Sequence, residues 1–448
     1  MSPLSNLSRR DEDGRAARKV VPRRGLGIWD PAARGHDALA TIVAQNEIRA
    51  QELLPIRHGR MAASPWTYFR GAAAVMAADL ASTPNTGITV QLCGDAHVLN
   101  FGLWNTPERN VSFDLRDFDE TLPGPFEWDL KRLAASLVVL ARAHRLTESV
   151  GRQSVSSAFR GYSGRMKRYA PMPEIDIWYD RIVVDDLIQD LAPYDANEVG
   201  SHLESQLRKR TSRGASKKLT AVVDGRRRIV EDPPFRTHAF GEADADPDEI
   251  FLAYRDSLPD HVWSLLTRFD LADSVRQVVG VGSVGMRVYL ILLEERRTRD
   301  PFFLQIKQAG PSVYEQFVES SEYAHHGQRV INGQRLIQSS TDMFVGWTTI
   351  EGNDYYVRQF RDGKVIPTGE AIADRLPDFA GVCGQVLARA HARSGDAAAI
   401  AGYLGAGNRV ETALVDFACA YADQNERDHR QFAAAVDDGS LPSALGWN

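Results

Sequence analysis

Apolar residues recur at two different spacings along the chain. In residues 36–58, 65–80 and 128–145 they repeat every three or four positions, which is the period of an amphipathic helix. From about residue 275 the pattern changes to runs of β-branched and aromatic residues, which favour strands. Residues 370–435 return to the helical period. A helical part followed by a strand-rich part predicts an α+β fold with two lobes.

Two short strands and a hairpin interrupt the helical pattern. Residues 88–93 form an apolar run, and residues 111–118 alternate between apolar and polar side chains. Further along, Asp224-Gly225 lies between two strand-like runs and predicts a β-hairpin. Basic residues are concentrated between Arg208 and Arg228, where we expect a solvated surface; attraction of an anionic acceptor is the alternative.

Composition and charge narrow the class of protein. The 448 residues include 53 basic and 59 acidic ones, a net charge of −6, and 43% are hydrophobic. This balance excludes a disordered chain and a collagen-like fibre, and it argues against a nucleic-acid partner. Cys93, Cys383 and Cys419 are too far apart for a disulfide framework or a CxxC zinc site. Because no apolar run approaches the ~20 residues of a membrane helix, and no apolar leader is present, we expect a cytoplasmic protein without a membrane partner.

A glycine-rich string lies at the start of the strand-rich part. GVGSVG contains Gly280, Gly282, Ser283 and Gly285. In a dinucleotide-binding fold such a string opens into a helix, but here MRVYLILLE follows, which is a strand pattern. A glycine loop between two strands is the arrangement with which kinases cover nucleotide phosphates. Lys307 ends the next strand, FFLQIK, where a lysine reaches those phosphates; a plain hairpin with a surface lysine is the alternative.

A second polar segment supplies candidates for the catalytic base and the metal ligands, which a phosphate-binding loop lacks. The string GDAHVLN carries Asp95 and Asn100, and DFD, with Asp117 and Asp119, follows a short strand. Phosphoryl transfer needs a carboxylate near the acceptor hydroxyl and oxygen ligands for Mg²⁺. Asp95 fits the catalytic base, and Asn100 and Asp117 fit the metal ligands. Capping of turns is a common alternative for any single aspartate, but it does not account for the whole set.

Other polar residues near this segment leave alternatives open. His97 with the neighbouring aspartates suggests a zinc-dependent hydrolase, although catalytic zinc usually takes three close protein ligands that include more nitrogen. Such an enzyme would be active without nucleotide. Arg60 and Arg70 precede the catalytic strand and are candidates for phosphate contact, with a structural role on an amphipathic helix as the alternative.

The spacing resembles a known group of enzymes. Gly-Asp-x-His-x-x-Asn followed by Asp-Phe-Asp is similar to the catalytic and metal-binding segments of aminoglycoside phosphotransferases and related kinases. Most of that group has a histidine where this chain has Cys93. Asp129 resembles the aspartate that braces the catalytic loop there, and the helix with His391 resembles the one that precedes that loop. The resemblance implies ATP, Mg²⁺ and a hydroxyl on a small molecule as acceptor; a protein acceptor is the alternative.

Over about residues 35–430 the chain also resembles the bacterial family called domain of unknown function 2252, which implies a kinase-like fold but no substrate. The matching segments are SPWTYFRG, GDAHVLNFG, DFDETLPGPFEWDLKRLAAS, VVDGRRRIVEDPP, FFLQIKQAGPSVYE, GQRVINGQRLIQSSTDMFVGW and YYVRQFRDGK.

The order of the motifs is inverted relative to kinases. Their chains run from the glycine loop and lysine to the catalytic loop and metal aspartate, whereas here the catalytic loop comes first. We therefore predict a two-lobed, protein-kinase-like fold in circularly permuted order, because a site needs convergence in space and not a particular chain order. A kinase-like Lys307 would pair with a helix glutamate, and the candidates are Glu315, which we favour, Glu319 and Glu322.

These inferences divide the chain into five predicted segments. They are a flexible arm (1–35), a helical part with the catalytic loop and metal aspartate (36–205), a basic hairpin and connecting region (206–270), a nucleotide-binding part (271–368) and C-terminal helices that pack on the helical part (369–448). The predicted function is an ATP- and Mg²⁺-dependent phosphotransferase. A nucleotide-binding pseudokinase or an AMP-transferring enzyme is the first alternative, and a metal-dependent hydrolase is the second.

Overall fold

The structure is a computed structural model of the chain. It describes residues 3–182, 211–240, 245–280, 282, 284–360 and 368–444. Ser283 of the glycine string therefore lies outside the described residues, as do Arg208, Lys209 and Arg210 of the basic region.

The first part of the chain is mainly helical, as predicted, and four short strands interrupt it. The helices before the first strand are α1 (Pro3–Val20), α2 (Ala38–Asn46), α3 (Leu54–Ala62), α4 (Pro65–Gly71) and α5 (Ala73–Ala81). The strands are β1 (Thr89–Leu92), β2 (Phe101–Asn105), β3 (Val111–Leu115) and β4 (Leu122–Pro125). After them come α6 (Phe126–Ala143), α7 (Glu148–Tyr169) and α8 (Glu174–Tyr179).

Local chemistry explains where helix α4 begins. The Ser64 hydroxyl accepts a hydrogen bond from the Thr67 backbone N–H, and the Thr67 hydroxyl accepts one from the Ser64 N–H. This capping box, with Pro65 in the first turn, is a strong helix start. The helix predicted over 65–80 breaks at Ala72, and the helix predicted over 36–58 is broken between α2 and α3.

A short region with one predicted hairpin connects the helical part to the large sheet. It contains α9 (Ser212–Leu219), β5 (Thr220–Val223), β6 (Arg226–Ile229), β7 (Arg236–Thr237), α10 (Pro247–Ala253) and α11 (Asp260–Leu266). Strands β5 and β6 pair antiparallel across Asp224 and Gly225, which both have positive φ, as a two-residue hairpin turn requires. Arg227 and Arg228 lie 2.8 Å and 2.9 Å from carboxylates of the large sheet, so this part of the basic region is already paired.

The strand-rich part forms one antiparallel sheet. Its remaining elements are β8 (Phe269–Gln277), β9 (Val288–Glu295), β10 (Pro301–Ala309), α12 (His326–Ile337), β11 (Gly346–Ile350) and β12 (Asn353–Gln359). The strand order is β11-β12-β10-β9-β8-β7. The glycine string connects β8 to β9, and Lys307 on β10 lies opposite Val288 on one side and Tyr356 on the other. The predicted α+β class, with helices first and a sheet later, is confirmed.

The last part of the chain packs on the first part. It consists of α13 (Gly369–Ala373), α14 (Leu376–Ser394), α15 (Ala397–Leu404) and α16 (Asn408–Asp437). Buried residues of α14 and α16 share one hydrophobic core with α6 and α7. Among the described helices, none has both the length and the apolar character needed to cross a membrane.

The N-terminal segment differs from the flexible arm that the sequence predicts. Residues 3–20 form helix α1, and this helix packs against α15. The Arg18 guanidinium donates a hydrogen bond of 3.0 Å to the Tyr403 carbonyl, and Gly14 lies so close to Ala399 that a side chain would not fit. The scattered charges of residues 9–24 suggest a solvated arm. The structure differs because small residues on one side of α1 let it approach α15.

Candidate active site

A cavity of about 930 Å³ is lined by residues from both the helical part and the large sheet. The helical part contributes Asp95, Asn100 and Asp117, and the sheet part contributes Lys307 and the glycine loop (residues 278–286) through Gly280 and Gly282. The structure therefore brings together two sets of predicted site residues that are more than 150 positions apart in the chain.

Helix α6 holds the catalytic loop (residues 93–100) through one of its faces. The buried Asp129 carboxylate accepts hydrogen bonds from the backbone N–H groups of Cys93 (2.7 Å) and Gly94 (3.0 Å). Ser136, seven positions further along α6, accepts one from Val98 N–H at 2.9 Å. Residues three or four apart, or seven apart, share a helix face, so one helix holds both ends of the loop. The predicted role of Asp129 as a brace agrees with this geometry.

Asp95 is held through both its carboxylate and its backbone carbonyl. Its Oδ1 accepts a hydrogen bond of 2.8 Å from Nε of the buried Arg132, which is also on α6. Its backbone carbonyl accepts one of 2.6 Å from the Asn100 side-chain amide. The Asp95 side chain is 19% exposed, and it lines the cavity. A hydrogen-bonded carboxylate at the cavity wall has the geometry of a general base.

Asp117 presents an oxygen with no donor. Its Oδ1 is buried, accepts no hydrogen bond from the described residues, and lies 3.9 Å from Lys307 Nζ. Withdrawal of this carboxylate from bulk water and the neighbouring charge of Asp119 raise its pKa, while the charge of Lys307 acts in the opposite direction. A cation at this oxygen would lower that pKa and favour the ionised form.

Lys307 is buried, and its ammonium is paired within the site. It contacts the Asp119 carboxylate, whose other oxygen accepts a hydrogen bond of 2.6 Å from the Tyr356 hydroxyl. Burial acts to raise the pKa of Asp119, but the charge of Lys307 and the hydrogen bonds from Lys307 and Tyr356 outweigh it, so that pKa is lowered. Burial likewise acts to lower the pKa of Lys307, and the two aspartates outweigh it, so that pKa is raised. Lys307 therefore remains a cation.

The expected ion pair between Lys307 and Glu315 is not formed. Glu315 instead accepts a hydrogen bond of 3.1 Å from the Ser312 backbone N–H, and its Oε1 lies 3.6 Å from Nε of Arg329. Glu315 precedes helix α12, whereas Asp119 lies beside the lysine, so the aspartate takes the place that the sequence assigns to the glutamate. Sequence spacing along one segment does not reveal a partner that lies 188 positions away.

His97 lines the cavity but is not positioned as one member of a metal cluster. It is buried, its Nδ1 has no hydrogen-bond partner among the described residues, and its Nε2 lies 3.9 Å from Asp95. Burial and the charges of neighbouring arginines hold its pKa well below the ordinary value, so the ring is neutral. Within the described part of the chain, no group of three or more His, Cys, Asp and Glu side chains could hold a metal ion. The zinc alternative requires such a group.

The residues at the predicted metal position fit Mg²⁺ better. Asp117 Oδ1 lacks a donor, and the Asn100 amide nitrogen is used by Asp95, which leaves the amide oxygen free to act as a ligand. Mg²⁺ is usually bound by one or two such oxygen ligands, together with substrate phosphates and water. A pair of protein ligands, and not a cluster of three, is sufficient for this ion.

The glycine loop is held from outside by a clamp segment (residues 49–60). The Arg60 guanidinium donates a hydrogen bond of 2.7 Å to the Val279 carbonyl, and Arg49 donates one of 2.6 Å to the Val284 carbonyl. The Ala50 backbone N–H donates to the Gly285 carbonyl at 2.8 Å. The sequence does not predict this clamp, because its members lie more than 200 positions before the loop.

Helix α14 meets the catalytic loop from behind. His391 Nε2 lies 3.3 Å from the Asp129 carboxylate, and its Nδ1 lies 2.8 Å from the Tyr162 hydroxyl. At the end of the same helix, the Ser394 hydroxyl accepts a hydrogen bond of 3.0 Å from the Gln91 backbone N–H on β1. The C-terminal end of α14 therefore lies against the strand that leads into the catalytic loop.

Arg132, Ser136 and Tyr356 are functional residues that sequence reasoning missed. Arg132 and Ser136 follow Asp129 at positions that share its helix face, and this spacing was the available signal. Tyr356 gave no such signal, because it contacts Asp119 only through the pairing of β10 with β12.

Comparison with known proteins places the chain in one family. The family model for "Uncharacterized protein conserved in bacteria (DUF2252)" matches residues 49–435. The chain belongs to this family. The match spans the clamp segment, the catalytic loop, the glycine loop and helix α14. No curated protein and no solved structure matches the chain.

Proposed function

We propose that this DUF2252 protein is an ATP- and Mg²⁺-dependent phosphotransferase with a kinase-like fold in circularly permuted order. The observation that carries the proposal is the convergence of Asp95, Asn100 and Asp117 with Lys307 and the glycine loop on one cavity. A cavity of about 930 Å³ lies in the range of small-molecule sites, which is roughly 300–1,000 Å³. The proposed acceptor is accordingly a hydroxyl on a small molecule.

The sheet topology supports a kinase-like nucleotide lobe. The glycine loop joins β8 to β9, Lys307 lies on the next strand, and helix α12 separates that strand from β11 and β12. Kinases likewise carry a glycine loop near the start of the lobe, a lysine on the third strand and a helix after it. The departure is the partner of the lysine, which is Asp119 here and a helix glutamate in kinases.

The meeting of α14 and β1 supports the permuted order. In a kinase-like chain the helix before the catalytic loop runs directly into that loop. Here Gln91 of β1 and Ser394 at the end of α14 are 303 positions apart in sequence, yet Gln91 N–H donates to the Ser394 hydroxyl. A single exchange of chain connections therefore relates this order to the kinase order. Domains with surface termini tolerate such exchanges.

The residues of the cavity define a transfer step. Asp95 accepts the proton of the acceptor hydroxyl while that oxygen forms a bond to the γ-phosphorus of ATP. The bond from the γ-phosphorus to the bridging oxygen breaks, and its electron pair leaves with ADP. Lys307 and backbone N–H groups of the glycine loop orient the phosphates. Mg²⁺, when bound by Asn100 and Asp117, would neutralise phosphate charge.

Two variants test the nucleotide site by binding alone. We expect Lys307→Met and Asp117→Asn each to weaken ATP·Mg²⁺ binding by roughly tenfold or more in calorimetric titration, because the first removes a cation that orients the phosphates and the second removes an anionic ligand of Mg²⁺. Lys131→Met is the matched control, since Lys131 is also a buried lysine but contacts the Phe417 ring and does not line the cavity. Unchanged ATP affinity in both site variants would show that the site assignment is wrong.

Labelled nucleotide distinguishes the reaction types. With ATP labelled in the γ-phosphate, a phosphotransferase passes the label to an acceptor, and the Asp95→Asn variant does not. Label transferred from the α-phosphate instead identifies AMP transfer on the same site. ATP binding with transfer of neither label identifies a pseudokinase, and activity without nucleotide identifies the hydrolase.

A further inference from the structure

Arg70 is a half-buried cation at the cavity wall, and its guanidinium forms no ion pair with a carboxylate in the part of the chain that the structure describes. It lies at the end of helix α4 and lines the cavity, and its Nε has no hydrogen-bond partner among the described residues. Its guanidinium lies 6.0 Å from the centre of the Trp66 ring. Two other cations of the same cavity are paired with carboxylates: Lys307 contacts Asp119, and Arg142 lies between Asp423 and Glu426.

A partly buried guanidinium without an ion-pair partner carries a cost, and no carboxylate of the described residues relieves it for Arg70. Removal of a charge from water is unfavourable unless an opposite charge or several acceptors replace the water. Burial lowers the pKa of Arg70, and the charges of Asp95 and Asp117 act against this effect without contacting the side chain. The arrangement is therefore complementary to an anion that is absent from the protein itself.

The position of Arg70 indicates which anion this is. Its electrostatic neighbours are Asp95, assigned to the acceptor proton, and Asp117, assigned to the metal. The Arg70 carbonyl oxygen also lies 3.5 Å from the point where a side chain on Gly282 would begin, so Arg70 lies next to the glycine loop. In the proposed function, Asp95, Asp117 and the glycine loop surround the phosphorus atom that moves from the nucleotide to the acceptor.

We propose that Arg70 binds the phosphoryl group during its transfer and neutralises the charge that it carries in the transition state. This inference rests on the proposed function and assigns a catalytic residue to it. The acceptor oxygen–phosphorus bond forms and the bond to the bridging oxygen of ADP breaks, while the guanidinium donates hydrogen bonds to the non-bridging oxygens. In other phosphoryl-transfer enzymes, arginines with this role strongly increase the rate of transfer. They come from the same chain or from a partner protein.

Binding of a transition-state analogue tests the proposal without knowledge of the acceptor. We expect wild-type protein to bind ADP·Mg²⁺ at least about tenfold more tightly when aluminium fluoride is added, because this complex resembles the phosphoryl group in transfer. In Arg70→Gln this gain is lost, while the affinity for ADP·Mg²⁺ alone changes by less than about twofold. Arg70→Lys, which keeps the charge but not the planar fork, retains part of the gain.

Arg142→Gln is the matched control, because this arginine lines the same cavity but is already paired with Asp423 and Glu426. We expect it to retain the full gain. An unchanged gain in Arg70→Gln, an equal loss of affinity with and without aluminium fluoride, or no gain in wild-type protein that binds ADP·Mg²⁺ would each overturn the assignment of Arg70. If Arg70→Gln does not fold, the same criteria apply to Arg70→Lys. Wild-type protein that does not bind ADP·Mg²⁺ at all would overturn the proposed function itself.

Discussion

The catalytic loop and the glycine loop line the same cavity, but they are held in opposite ways. Side chains of helix α6 accept hydrogen bonds from the backbone N–H groups of the catalytic loop, through Asp129 and Ser136. The clamp segment does the reverse, because its Arg49, Ala50 and Arg60 donate to backbone carbonyls of the glycine loop. The contacts from α6 thus occupy backbone donors of the catalytic loop, and the contacts from the clamp segment occupy backbone acceptors of the glycine loop.

This difference matches what each loop has to present. In the proposed function the catalytic loop acts through side chains, so its backbone donors are available for structural use. A loop that binds phosphates acts through backbone N–H groups, and the clamp segment contacts carbonyls and so does not itself occupy those groups. The clamp segment therefore fixes the position of the glycine loop without competing for the phosphates.

The test with the largest expected effect removes the Asp129 carboxylate, which braces the catalytic loop. Asp129→Ala leaves two buried N–H groups and the His391 ring without their shared carboxylate. We expect a loss of about 3–5 kcal/mol in the free energy of unfolding, measured by urea denaturation. Asp423→Ala is the control, because this carboxylate is 55% exposed and its ion pair with Arg142 contributes less than about 1 kcal/mol. Equal effects of the two substitutions would show that the brace is unimportant.

The second test disturbs the glycine loop at its contact with the clamp. Gly285 has φ +95°, and a side chain there would begin 2.8 Å from Arg49 Cβ. Gly352 has φ +75° and open space around it, so it isolates the backbone effect. We expect Gly352→Ala to cost about 1 kcal/mol in the free energy of unfolding and Gly285→Ala about 1–2 kcal/mol more. Gly285→Ala should also weaken ATP binding, and similar results for both variants would argue against the clamp.

The third test, which has the smallest expected effect, addresses Glu120. This residue lies where the catalytic loop and the glycine loop meet. Its carboxylate accepts a hydrogen bond of 2.7 Å from the Val313 N–H, and burial raises its pKa to about 7. Because the folded protein holds this proton more tightly than the unfolded chain, ionisation of Glu120 costs stability as the pH rises from 4.5 to about 7. We expect Glu120→Gln to be more stable than wild type by about 1–2 kcal/mol at pH 8 and equal to it near pH 4. The exposed Glu319→Gln should show no such pH dependence in urea denaturation.

Local patterns predicted much of the fold and of the candidate site. The β5–β6 hairpin, the strands on both sides of the glycine loop, Lys307 on β10 and the bracing role of Asp129 all depend on residues close in sequence, and the structure contains them. Strand β4 escaped prediction because Pro123 and Pro125 make it a poor strand by composition. It pairs with β1 all the same.

Long-range partners could not be predicted. Asp119 replaces the expected glutamate beside Lys307, and Arg132 holds Asp95, yet sequence alone does not say which of many opposite charges meet. Similarly, the break between α2 and α3 lets the clamp segment reach the glycine loop. The helical period of residues 36–58 is continuous, so it does not predict this break. These features depend on how separate elements pack, and a periodicity describes one element at a time.

The hydrogen bond between His391 and Asp129 has a consequence for synthesis of the protein. Its partners are 262 positions apart, so the ribosome makes the catalytic loop and its brace long before the helix that completes them. Contacts at such large sequence separation form slowly, and partly folded chains expose apolar surface meanwhile. A nascent chain that already contains every proposed catalytic and metal-binding residue from Asp95 to Asp117 therefore has no finished site. The proposed site is therefore complete only after helix α14 has emerged.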